Sequence, residues 1–154
     1  MNKNAQLSKA ILAGIIGTIG MTLFMMMGNM MGIQMNVPKM LASMFGGNLI
    51  IGWVMHFMIG TILAIGYEYF FIKIIKINNP ILRGAVYGIL PWFMAQVMVM
   101  PMMSMMQGMS YFDGFFSGSI IMASASLMAH FVFGIVVGYI DRPSEQLIVN
   151  SNNG

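Results

Sequence analysis

The segment LIIGWVMHFMIGTILAIGYEYFFI, residues 49–72, decides the fold. It shows no alternation of polar and apolar residues, and its one formal charge is Glu68, near an end. Wound as a helix at 1.5 Å per residue, it crosses the roughly 30 Å of a bilayer's hydrocarbon core. A run this long is no barrel strand, so it reads as a transmembrane helix. Three more runs share its character, at about residues 10–31, 84–106 and 116–140. Together they predict an all-α fold: an integral membrane four-helix bundle over residues 1–140, followed by a polar tail over 141–154.

Composition agrees with that reading. The 154-residue chain is 58% hydrophobic and 7% charged, against roughly 25% charged in ordinary soluble domains. Seven Lys/Arg and four Asp/Glu cannot cover a water-facing surface, which excludes a soluble enzyme or a solvated binding module. They also supply no basic cluster of the kind that neutralises phosphates, so no nucleic-acid partner is expected. Cysteine is absent, and with it disulfides and thiolate metal sites.

The breaks between runs carry turn chemistry. Asn36-Val37-Pro38 opens a short segment to Phe45, read as an interfacial helical turn and closed by Gly46-Gly47. Lys73 to Pro80, with its Asn78-Asn79-Pro80 turn, and Gln107 to Gly114 mark the other connections. Six of the seven cations (Lys3, Lys9, Lys73, Lys76, Arg83 and Arg142) fall on one side of a four-span topology, and only Lys39 falls on the other. The positive-inside rule then places both termini in the cytoplasm. A cleaved signal peptide competes for the first run, but that run is too long for an h-region and no Ala-x-Ala site follows it.

Sliding the chain by 74 residues aligns the first helix pair with the second. Gly14 meets Gly88, and His56-Phe57-x-x-Gly60 meets His130-Phe131-x-x-Gly134. The bundle can therefore be read as two tandem two-helix repeats in the same orientation.

His56 and His130 are the sharpest candidate site residues. His56 lies twelve residues from Glu68, roughly 18 Å along a helix, and so near mid-bilayer. Ionisable groups at that depth usually face the bundle interior. Gly52, His56 and Gly60 recur at four-residue spacing, as do Ser126, His130, Gly134 and Gly138, which marks seams of close helix approach. Two inward histidines can ligate a b-type haem, with the neighbouring glycines making room for the macrocycle. The commoner use of such residues, and the favoured reading, is as neutral imidazoles hydrogen-bonded across a seam. Zinc is less favoured, since no carboxylate lies at matching depth.

Methionine offers a second candidate. Of 22 methionines, seven lie between Met21 and Met35 and eight between Met94 and Met109, at the outer ends of the first and third spans. Met27, Met31 and Met35, and likewise Met98, Met102 and Met106, recur every four residues, which sets thioethers in line on one helical face. Soft thioethers select Cu(I), so Met27, Met31, Met35, Met102 and Met106 are candidate copper ligands. Unbranched methionine also serves as adaptable packing or as a promiscuous contact surface.

Other polar residues are few. Gln96, aligned with Thr22 by the repeat, is expected to make an interhelical hydrogen bond. Pro91 and Pro101 are expected to kink the third span. Glu68 reads as an interfacial carboxylate paired with Lys73 or Arg83, and Trp53, Tyr111, Phe112 and Phe115 as outer-interface anchors. No nucleophile–base pair, phosphate loop or HExxH is present, so no enzyme activity is expected.

Several short motifs resemble a family of small bacterial inner-membrane proteins of unknown function. They are Leu12-Ala13-Gly14 with Met21-Thr22, Asn36-Val37-Pro38-Lys39-Met40-Leu41 with Gly46-Gly47, Gly52-Trp53 with His56-Phe57 and Gly60, and Leu82-Arg83-Gly84 with Gly88. The resemblance implies four spans and a bacterial inner-membrane location, and it brings no catalytic residues. This chain is richer in methionine than the family pattern. The leading expectation is a non-enzymatic accessory or assembly subunit in the lipid bilayer, contacting membrane-protein partners or further copies of itself. A haem b or Cu(I)-handling protein is the alternative, and a small-solute transporter the third reading.

Overall fold

A computed structural model describes residues 2–142, and among them every regular element is helical. Asparagine and serine set where the helices begin. Asn2 caps α1 (Lys3–Met30), Asn36 caps α2 (Val37–Met44), Asn48 caps α3 (Leu49–Ile74) and Asn79 caps α4 (Pro80–Met106). Ser119 caps α5 (Ile120–Ile140). Each cap accepts a bond from a first-turn amide that has no partner within its helix.

α1, α3, α4 and α5 are each long and apolar enough to span a membrane. α1 begins seven residues earlier than the apolar run suggests, and α4 four residues earlier. Hydropathy marks the lipid-embedded part of a helix, whereas caps mark its end. α5 begins at Ile120 rather than 116 for a backbone reason: Phe116 and Ser117 are left-handed (φ 50° and 58°), as is Gly118 (φ 64°). No α-helix passes through three such residues. Of the polar tail expected over 141–154, only Asp141 and Arg142 fall within the described residues.

Small residues bring the helices together. A Cβ on Gly84 would collide with the backbone of Gly134 and Gly138, so α4 and α5 touch main chain to main chain. Gly14 of α1 meets Gly60 and Thr61 of α3 in the same way, and Gly17 receives Phe133 and Val137 of α5. α2 packs on α3 where Gly52 meets Pro38 and Ala42. α1 thus lies between α3 and α5, with α4 beyond α5. The ring closes between α3 and α4 through Tyr87, whose hydroxyl donates to the Leu63 carbonyl at 2.6 Å. Its ring stands edge-on to Tyr67 and Phe71, with centroids 5.1 and 4.9 Å away.

The two halves repeat their pairing, α1 with α3 and α4 with α5, but not its register. Gly60 packs against Gly14 and Thr18, whereas Gly134 packs against Gly84 and Gly88. Under the 74-residue alignment these are positions 10 and 14 of the first half, one helical turn away.

Two widened π-type turns re-aim side chains. In α3 the turn Tyr67–Phe71 points the consecutive residues Tyr67 and Glu68 both inward. In α4 the turn Ala95–Val99 lies between Pro91 and Pro101. Pro101 has no N–H for the carbonyl four residues back, and that carbonyl, of Val97, accepts instead from the Tyr111 hydroxyl at 2.8 Å.

Candidate binding cavity

The loose α3–α4 side leaves a chamber of about 260 Å³ that is partly open to the outside, lined by Thr18, His56, Gly60, Pro91, Ser126 and His130 among others. It adjoins a larger vestibule of about 490 Å³ at the end away from the termini. The two share Met21, Val37, Met40, Met100 and Ser126 as walls.

Both expected histidines reach the chamber, and their hydrogen bonds define their tautomers. Thr22 donates its only hydroxyl proton to the Thr18 carbonyl at 2.7 Å. Its oxygen must therefore accept from His56 Nε2, 3.1 Å away, which leaves Nδ1 of the neutral ring with a free lone pair. His130 Nδ1 faces the Ser126 carbonyl at 2.8 Å and donates to it, so its free lone pair is on Nε2. The His56 bond crosses from α3 to α1, as a seam imidazole should; the His130 bond stays within α5.

A haem does not fit these residues. The glycines expected to accommodate a macrocycle are filled by neighbouring backbone: Gly52 by Pro38, Gly134 by Gly84, Gly138 by Pro80. His56 Nε2 is engaged by Thr22.

The methionines divide differently from their sequence spacing. α1 stops at Met30, so Met35 lies beyond the helix and the in-line arrangement of Met27, Met31 and Met35 does not form. Met27 and Met31 are 63% and 80% exposed, and Met102 and Met106 46% and 57% exposed, all facing outward. Of the five candidate copper ligands, only Met35 lines the vestibule. Seven other methionines line it with Met35: Met21, Met25 and Met122 from α1 and α5, Met100 and Met103 from α4, Met40 from α2, and Met109 from the connection after α4. Sequence spacing missed these because α1 and α4 each turn two of their many methionines inward at positions set by Gly, Pro and the π-type turn. Among the described residues no three His, Asp or Glu side chains gather to hold a metal. Thioether and imidazole are therefore the soft donors at this cavity.

Polar groups frame the vestibule. Gln96, fully buried in the widened turn of α4, accepts from Ser117 at 2.8 Å and donates to Ser126 at 3.4 Å. Its bonds run to α5 and the preceding loop, while Thr22 serves His56. Holding Phe116 and Ser117 left-handed costs about 1–2 kcal/mol each, and this backbone directs Ser117 onto Gln96. Asp113 also lines the vestibule, and among the described residues no Lys or Arg does.

Glu68 departs most from expectation. Neither Lys73 nor Arg83 pairs with it. Arg83 instead donates to the Tyr67 hydroxyl at 3.1 Å and reaches the Ile77 carbonyl. Glu68 is 7% exposed. Its Oε1 accepts from Gln6 Nε2 at 2.5 Å, and its other side faces the carboxyl of Asp141. The π-type turn is the reason: it rotates Glu68 away from the surface face on which Lys73 lies.

Four spans long and apolar enough to cross a membrane make this a multi-pass membrane protein in contact with lipid. Residues 4–145 match a family described as a family of unknown function (DUF6789), and the chain belongs to it. No curated protein and no solved structure matches the chain.

Proposed function

We propose that this chain is a non-enzymatic Cu(I)-handling protein of a bacterial inner membrane, with both termini cytoplasmic, that admits the ion through its methionine vestibule toward His56 and His130. One observation carries the reading: a vestibule with eight methionines in its lining adjoins a chamber where two imidazoles each have a free lone pair. Thioether and neutral imidazole are the donors a soft monovalent ion takes. A wall with one carboxylate and no cation admits positive charge.

The test is Cu(I) retention by the purified protein in lipid nanodiscs. Met→Leu conserves volume and costs less than about 1.5 kcal/mol each. Leucine at Met21, Met25, Met100 and Met103 should weaken retention by more than about tenfold, the scale that outer-shell changes alone reach in metal sites. Leucine at Met27, Met31, Met102 and Met106 should leave it unchanged. Equal retention by both variants, or none by the parent, would sink the proposal.

The exposed methionines favour a second reading, an accessory or assembly subunit that docks on other membrane proteins. The small-residue seams lend it no support, because the chain's own helices occupy them. Extraction in mild detergent should then co-purify a stoichiometric membrane partner; a lone chain would count against this reading.

A further inference from the structure

At the end of the bundle that carries both termini, four elements converge on two buried acids. α3 contributes Glu68 and Tyr67, and Asp141 follows α5 directly with Arg142 beside it. α1 contributes Gln6 and Lys9, and α4 contributes Arg83. The carboxyls of Glu68 and Asp141 face each other closely enough for a shared proton to join them by a hydrogen bond. Two ionised carboxylates hold only acceptors and cannot make such a bond. Glu68 Oε2 is wholly buried with no donor from any described residue, although the residue's other oxygen is satisfied by Gln6. An acceptor orphaned in that way costs about 1–3 kcal/mol, and more when charged. Nearby cations do not fill the gap. Lys9 Nζ is 3.9 Å from Asp141 Oδ1 and donates to the Arg142 carbonyl, and Arg83 is bonded to Tyr67.

We propose that Glu68 and Asp141 form a proton-binding site in which one shared proton bridges the two carboxyls and ties α3 to the end of α5. The bridge supplies the missing donor to Glu68 Oε2 and leaves one net negative charge for Lys9 to balance. Burial first, and then Glu68, push the Asp141 carboxyl up to about 8, in keeping with two acids that cannot both ionise. Release of the proton leaves two adjacent anions, one within reach of Lys9 and the other without a counter-ion, so the contact between α3 and α5 opens. This inference stands apart from the copper reading, because it uses neither the methionines nor the histidines.

The chain has only four Asp and Glu side chains, so carboxyl-labelled wild-type protein in nanodiscs can be titrated site by site by carbon NMR. The expected result is one Asp carboxyl that ionises near or above neutrality, a step also registered as a resonance change at one neighbouring Glu carboxyl. That step should disappear in both Glu68→Gln and Asp141→Asn. Ionisation of all four carboxyls in the ordinary range near 4 would overturn the site, and this wild-type measurement decides even if a variant fails to fold. A step whose midpoint shifts with sodium at constant ionic strength would also overturn it, because the occupant would then be a metal cation.

Discussion

Replacing Gly84 with alanine should cost about 1–3 kcal/mol and valine more, the range for overpacking a tight interface. That is a large share of the roughly 5–15 kcal/mol by which a domain is stable. The added Cβ meets the Gly134 carbonyl oxygen, with the Gly134 carbonyl carbon and Gly138 Cα both at 2.9 Å. None of these is the movable tip of a side chain, so α4 and α5 must part. The reciprocal substitution at Gly134 meets the Gly84 main chain and should cost as much. Gly20 is the control, since its Cβ would meet Val136 Cγ2 at an ordinary 3.5 Å. Thermal unfolding in detergent, followed by helicity, separates them: Gly20→Ala should melt with the parent and Gly84→Ala well below it. Equal melting of the two would refute backbone contact between α4 and α5.

The second large effect is on pH dependence. Burial, and then the neighbouring Glu68, push the Asp141 carboxyl up to about 8 in the folded protein, whereas an unfolded aspartate titrates near 4. The folded state therefore holds a proton that the unfolded state has released. The associated stability is fully present below the ordinary aspartate range and is lost as pH rises toward about 8. Unfolding by denaturant across that window should show falling stability in the parent and a flatter profile in Asp141→Asn. A parent that gains stability as pH rises, by the same amount as Asp141→Asn, would show that Asp141 is not the group responsible.

The spans were legible because lipid leaves the backbone few options, and four uninterrupted apolar runs have one solution. The starts at Lys3, Pro80 and Ile120 were not read, although Asn2, Asn79 and Ser119 cap them, because hydropathy marks only the lipid-embedded part of a helix. The left-handed run at Phe116 and Ser117 was not legible either, since neither residue is a type that favours it. The histidines were found because depth and small neighbours both point inward. The vestibule methionines were missed because periodic spacing assumes a straight helix that continues. α1 ends at Met30 and α4 widens after Pro91, so the inward face is not the one that a four-residue repeat selects. Gln6, which donates to Glu68, lies 62 positions away along the chain, a pairing no local pattern encodes.

The one-turn difference in register between the two helix pairs bears on how copies of the chain behave together. Duplicated hairpins are prone to exchange between molecules, each half taking its counterpart's seat. Here the seats are not interchangeable. Where Gly60 of α3 rests on the small Thr18 of α1, the corresponding residue of α4 is Trp92, whose indole is tied to the Ala123 carbonyl at 3.0 Å. A hairpin swapped into the other half's place would meet an indole where a hydroxyl belongs. The offset thus gives the two helix pairs unlike seats at corresponding positions.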